Sequence, residues 1–218
     1  MIKKYINYFF KTNWLKTLYF NLYYFGIKGF LFPVLIGYNV ELKLLKGKFL
    51  IDNLRPFLVE FGIYCPGNYS SKTVSIFQND GIIKINGRCK FGVGSKISNH
   101  GELYFGKRFN LTANSSIICN DKIIFGDNNL VSWNVEIMDT DFHKIYNEKD
   151  NLLNKDSKIY FGNKNWICSG AKILKNCKFS DETIISSNSC ISGKVFDESN
   201  IIICDNGRII KKNIKWEL

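Results

Sequence analysis

FGNKNWICSGAKILKNCKFSDETIISSNSCI, residues 161 to 191, repeats a large apolar side chain every six positions: Phe161, Ile167, Ile173, Phe179, Ile185 and Ile191. Four residues after the large one the side chain is usually small, as at Ala171, Cys177, Thr183, Ser189 and Val195. A period of six fits neither an α-helix nor a simple alternating strand. It fits three short strands joined by corners, each strand turning one large residue into a common interior, so that stacked coils bury continuous apolar columns. The expected fold is therefore an all-β parallel solenoid.

The same frame extends towards the N-terminus through Phe91, Ile97 and Leu103, then Phe105, Leu111 and Ile117, then Phe125, Val131 and Ile137. Ser95, Gly101, Ser115 and Val135 keep the small position, while Phe109, Asp121, Asn129, Asp141 and Asn165 break it. Directly after the large residue stand Gly92, Gly106, Gly126 and Gly162, where a corner needs a permissive backbone. Phe105 and Phe125 are 20 residues apart, three hexads plus an offset of two, which sets the length of one coil. Residues 40 to 90, rich in Ile, Val and Phe between turn residues, are expected to form early, irregular coils. Two regions stand outside the frame. Residues 1 to 38 form an aromatic N-terminal segment with a helix expected over 1 to 25, and 39 to 218 form the solenoid domain. Within that domain, 138 to 158 (MDTDFHKIYNEKDNLLNKDSK) is a polar excursion of the kind that carries chemistry on a rigid scaffold.

Composition bounds the rest. At 218 residues, 45% hydrophobic and 15% aromatic, the chain has ample material for one core. Its net charge of +11 is concentrated at one end, since residues 1 to 50 hold eight lysines and one acid, Glu41. Such an end suits an anionic membrane surface or an acidic glycan; with no nucleic-acid-binding motif, nucleic acid is not expected as a partner. Lys11, Lys16 and Lys28 interrupt every apolar window, so no run approaches the roughly 18 residues that span a bilayer. Neither a spanning helix nor a signal peptide is expected, and the setting is cytoplasmic, with peripheral contact through the N-terminus to the inner face of the membrane left open. Seven cysteines without a C-x-x-C pair point to small buried hydrophobes in a reducing compartment.

The segments VSWNVEIMDTDFH (131 to 143), FGNKNWICSGAKILKNCKFSDETIISSNSCI and SNIIICDNGRIIKK (199 to 212) resemble the left-handed β-helix acetyltransferases of bacterial sugar and capsule metabolism, among them maltose and galactoside O-acetyltransferases. The likeness covers most of residues 90 to 218. It departs at Cys168, Asn176, Ser180 and Ser186, where that family usually has Gly, and at Asn206 in place of a closing Pro. The resemblance implies a left-handed parallel β-helix, acetyl-CoA as donor co-substrate, no metal, a sugar or glycan acceptor and a homotrimer. It makes His143 the base. Trp133, Asn134 and Asp139 fall on the acceptor side, Trp166 and Ser169 along the CoA arm with Ser187 and Ser192 further down, and Arg208 and Lys211 near the nucleotide phosphates.

Transfer of an acetyl group from a thioester to an alcohol needs a base for the hydroxyl proton, a donor for the developing oxyanion and a slot that aligns two substrates. Histidine suits the first task at neutral pH. The chain has two, His100 and His143. His100, in SNHGE, is expected to be a solvent-facing residue; His143 lies in the excursion after Asp139 and Asp141. Asp141 is expected to fix its tautomer by accepting from the other ring nitrogen. Two alternatives stay open: transfer to the nitrogen of an amino sugar, and a solenoid that binds without catalysis. The zinc enzymes built on this solenoid need more histidines than the chain has.

Overall fold

The computed structural model describes residues 8–217. Strands stack in parallel on three faces, so the solenoid is a triangular prism. Face 1 begins with Val34–Ile36, face 2 with Val40–Leu44 and face 3 with Lys48–Ile51. Faces 2 and 3 each have seven strands; face 1 has nine, the last added antiparallel by Arg208–Lys212 against Ile201–Cys204. The domain boundary expected at 38/39 therefore falls too late, because Val34–Ile36 already pairs with Val59–Phe61. Residues 1–7 of the expected N-terminal helix lie outside the described residues.

Coil length follows the sequence period. Phe91 pairs with Leu111 and Leu111 with Val131, steps of 20 residues; Ile167 pairs with Ile185 and Ile185 with Ile203, steps of 18. Each large residue of the frame faces inward. On face 3, Phe105, Phe125, Phe161, Phe179 and Phe196 form one aromatic column, with centroids of 4.7 to 5.5 Å between neighbours and rings within 14° of parallel. A face-to-face ladder is not the preferred geometry of an isolated pair; here the fixed spacing of parallel strands imposes it.

Two of the positions that broke the small-residue rule, Asn129 and Asn165, are corner amides. Asn129 Oδ1 accepts the Asn165 backbone N–H at 3.1 Å, and Asn165 Oδ1 accepts that of Thr183 at 2.6 Å, so buried amides run down one corner. Each meets backbone that turns away from the strand ladder at a corner, which is why a polar side chain is stable there. The glycines at 106, 126 and 162 serve close approach rather than backbone freedom. A Cβ on Gly126 would lie 2.7 Å from the Gly162 carbonyl oxygen, and none of the three has a positive φ.

The helix Trp14–Phe25 closes the open N-terminal end of the prism, with Asn13 as its N-cap accepting from the Lys16 N–H. At the other end the tail folds back on the outside of face 1, where Trp216 packs on Trp166 with Ile184, Ile202 and Ile214. Among the described residues no helix is long and apolar enough to cross a membrane. All seven cysteines are free; Cys89, Cys119 and Cys177 are buried as expected, whereas Cys190 is exposed.

Candidate active site

The chain leaves face 2 after strand Glu136–Met138 and rejoins face 3 at Ile159–Phe161. Asp139 is the residue at which it leaves. On face 2 the register runs Asn79, Asn99, Cys119, with Asp139 next in the same corner column. Asp139 is fully buried, and its two oxygens accept the backbone N–H groups of Asn120 at 2.7 Å and Asp121 at 3.0 Å. Burial raises its pKa above the ordinary carboxylate value, against the opposing pull of those N–H donors. The expectation that Asp139 meets the acceptor is thus corrected: its carboxylate is committed to the scaffold. The sequence held this information, since Asp139 lies 20 residues after Cys119, one coil length.

Beyond Asp139 the excursion is pinned at a few points. Its base closes where the Ser157 N–H reaches the Asp139 carbonyl at 3.0 Å, and Tyr146 bridges Leu152 in antiparallel sense. Asn154 is the central tie. Its Nδ2 donates to the His143 carbonyl at 2.7 Å and to Asp141 Oδ2 at 2.9 Å, while its Oδ1 accepts from the Ile145 N–H at 2.6 Å. From the next coil Lys175 Nζ reaches Asp141 Oδ2 at 2.5 Å and the Asn154 carbonyl at 2.9 Å. This ammonium, and secondly Asn154, hold the Asp141 carboxyl below its ordinary value.

His143 therefore sits exposed on a loop whose backbone is fixed on both sides, its own N–H on the Asp141 carbonyl at 2.6 Å. The expected Asp141 contact to the imidazole is replaced by the Lys175 and Asn154 contacts, so Asp141 positions the loop and not the ring. Sequence reasoning missed Lys175; it follows Leu174 in the hexad frame, at the register position below Asp139, and the pairing of Ile137 with Ile173 reveals the neighbourhood.

The remaining expected residues divide between the two corners that flank face 2. Trp133, Ser169 and Ser187 form one column at the face 1/face 2 corner. There the Gly170 N–H reaches the Trp133 carbonyl at 3.1 Å and the Asn188 N–H that of Ser169 at 3.0 Å. Trp133 is 39% exposed. Asn134 is an exposed corner residue at φ 57°, its Oδ1 accepting from Asn114. Ser192 lies towards the face 2/face 3 corner, beside the Gly193 N–H that reaches the Lys175 carbonyl at 3.1 Å. Trp166 stands on the outer side of face 1, its N–H on Ser132 Oγ at 3.0 Å and its ring partly covered by Trp216. Arg208 and Lys211 are exposed on the closing antiparallel strand. Trp133, Ser169 and Ser187 are thus brought together, and the loop rises from the opposite corner of the same face; Trp166 and the two cations lie on another face.

His100 is better supported than the sequence suggested. Its Nδ1 is 2.6 Å from Asp80 Oδ1, and its Nε2 is 3.4 Å from both Ser98 Oγ and Gln78 Nε2. Asp80 and His100 are one coil apart on the same corner as Asn120 and Thr140, whose side chains bond at 3.2 Å. The 20-residue spacing was the available signal.

The three-sided coil, its hexads and its corner amides define a left-handed β-helix of the hexapeptide-repeat class, shared with solved acetyltransferases. The structure of the polySia specific acetyltransferase NeuO superposes with a TM-score of 0.63 over 85% of this chain and 79% of that one, at 15% identity. The polysialic acid O-acetyltransferase OatWY matches with a TM-score of 0.50 over 85% and 87%, at 18% identity. In sequence, an uncharacterized 24.8 kDa protein in the cps region of Klebsiella pneumoniae is 32% identical over 161 residues, 66% of this chain and 68% of the relative. The chain belongs to the family of that Klebsiella protein. No protein-family model matches it.

Proposed function

We propose that the protein is an O-acetyltransferase that moves an acetyl group from acetyl-CoA to a hydroxyl of a capsule or other cell-surface glycan, with His143 as the base. The observation that carries this is the hydrogen-bonded backbone on both sides of the exposed His143. A hydroxyl proton is best taken by an imidazole carried on a positioned backbone, and Asn154, Asp141 and Lys175 tie the loop on either side of His143 while its ring stays open to an acceptor. Acetyltransferase neighbours of the same fold and a relative in a cps region support the donor and the glycan acceptor. In this scheme the acceptor oxygen attacks the thioester carbonyl, its proton passes to the imidazole, and the imidazole returns it to the departing CoA sulfur. Trp133 offers an exposed indole for a sugar ring; Ser169 and Ser187 line a corner suited to an extended pantetheine arm; Arg208 and Lys211 suit phosphates. The slot is completed between copies of a homotrimer. Acetyl transfer to purified capsular polysaccharide, followed by CoA release and by ester formation on the glycan, tests the proposal; ester-free product with the glycan's amino groups acetylated would favour the amino-sugar alternative.

A second base is favoured by one distance, the 2.6 Å between Asp80 and His100. Comparing His143→Ala with His100→Ala separates the two. The first loses transfer if His143 is the base, and the second loses it if His100 is.

A further inference from the structure

The helix Trp14–Phe25 is amphipathic in the reversed sense. Its inward face carries Thr17, Phe20 and Asn21, all buried. Phe20 packs on Phe49 and Phe77 in the first two coils, while the polar pair seals the edge of face 1. Asn21 Nδ2 donates to the Val34 carbonyl at 2.7 Å and its Oδ1 accepts the Val34 N–H at 3.1 Å; Thr17 Oγ1 accepts the Ile36 N–H at 3.0 Å. An uncapped first strand would leave these groups open to pairing with another chain. Lys16 Nζ adds bonds to the Tyr38 and Val40 carbonyls. Because the helix touches residues of all three faces, it lies across the end of the prism.

The outward face is apolar. Leu15, Tyr19 and Tyr23 follow at intervals of four, one stripe of the helix, and Ile27 and Phe30 are exposed in the 3-10 helix Gly26–Leu31, which turns back at Gly26 so that Gly29 meets the Asn21 backbone. Leu15 and Ile27 are 82% and 84% exposed. Such a stripe rimmed by cations is not a surface that solubility selects. Lys11, Lys28, Lys43, Lys46 and Lys48 are exposed on the same end of the molecule, against two acids of the first coil among the described residues, Glu41, which lies 3.8 Å from Lys43, and Asp52.

We infer that this end of the prism docks on the surface of an anionic phospholipid bilayer, with the stripe entering the headgroup and acyl boundary. Charge decides between the occupants. A second copy would bring like charges together, whereas an anionic bilayer matches the lysines and takes up the aromatic stripe at once. With the helix flat on the membrane, the prism axis stands upright. The loop bearing His143 leaves the fifth coil, four strand spacings or about 20 Å further out. An acceptor anchored in that bilayer must then extend by several sugars to reach it, a consequence that rests on the transferase proposal, whereas the docking itself does not.

The test is cosedimentation of the full chain with vesicles of phosphatidylglycerol and phosphatidylcholine, beside vesicles of phosphatidylcholine alone. Wild type is expected to pellet with the anionic vesicles and to be released by salt. The triple variant Leu15→Gln, Tyr19→Gln, Ile27→Gln is expected to bind at least tenfold more weakly with an unchanged melting temperature, because the three side chains point away from the core. Wild type left in the supernatant, or a triple variant that pellets equally, overturns the inference. So does a light-scattering mass that falls in the triple variant, which would place a second copy on the stripe. None of these outcomes depends on acetyl transfer.

Discussion

Lys175 and Asp141, 34 residues apart in sequence, meet at 2.5 Å where the catalytic-loop candidate leaves the solenoid, and the same ammonium caps the Asn154 carbonyl at 2.9 Å. One side chain from the rigid coil thus fixes both arms of the loop that carries His143. Replacing Lys175 with Met keeps its packing and removes both bonds. The expected result is faster amide exchange at residues 141 to 154 and a fall in kcat, with global stability changed by less than about 1 kcal/mol, since the pair is partly solvated. An exchange profile identical to wild type would contradict this.

Acid should loosen the same loop. The Asp141 carboxyl is held below its ordinary value of 3.8 by Lys175 and Asn154. A lowered carboxyl contributes stability that is fully present above its ordinary value and is lost as pH falls through the folded value. Amide exchange at the loop, corrected for intrinsic rates, is therefore expected to be flat down to about pH 4 and to accelerate below it. Asp139 has the opposite sign, its pKa raised by burial, so acidification through the carboxylate range relieves a cost there and does not open the loop at its root.

Asp139→Asn is expected to weaken the fold. Both Asp139 oxygens accept part-buried backbone N–H groups, and an amide offers one oxygen, so one of these bonds is lost at a cost of about 1 kcal/mol. Denaturant midpoints read this directly. Acetyl acceptor KM per folded molecule should remain at the wild-type value; a raised KM with unchanged stability would restore Asp139 to the acceptor side.

Phe161→Ala removes the middle of the face 3 aromatic column, between Phe125 at 4.7 Å and Phe179 at 5.0 Å. The expected loss is about 3–5 kcal/mol, typical of an aromatic deleted from a closed core. The melting temperature is the measurement, and a change under a degree would mean that the column collapses to fill the gap.

His143→Ala is expected to lower acetyl transfer by about 10²–10⁴-fold, the usual worth of a positioned base, with acetyl-CoA binding unchanged. His100→Ala should keep activity within a few-fold. A reversed pair of results would move the chemistry to the Asp80–His100 pair.

The prism was legible because the hexad period is a direct image of the coil: Phe161, Ile167 and Ile173 each end the strand of a successive side, and the 20-residue interval from Phe105 to Phe125 is a strand pairing. The excursion was legible as a loss of that period. What sequence obscured was the use of polar residues inside the frame. Asn129 and Asn165 looked like exceptions and are corner ties; Asp139 looked like loop chemistry and is a corner residue; Thr17 and Asn21 gave no sign that the helix is turned polar face inward. Bonds that cross between coils, such as Lys175 to Asp141 and Asp80 to His100, depend on the register, which the period gives only once the coil length is known.

The central claim is that the protein uses acetyl-CoA, and calorimetric titration with acetyl-CoA tests it without knowledge of the acceptor. The expected result is saturable binding of one acetyl-CoA per subunit, equal in wild type and His143→Ala. At a hundredfold the dissociation constant, the fold should gain about 2.7 kcal/mol of stability. No binding at millimolar donor would contradict the account and leave a glycan-binding solenoid in its place.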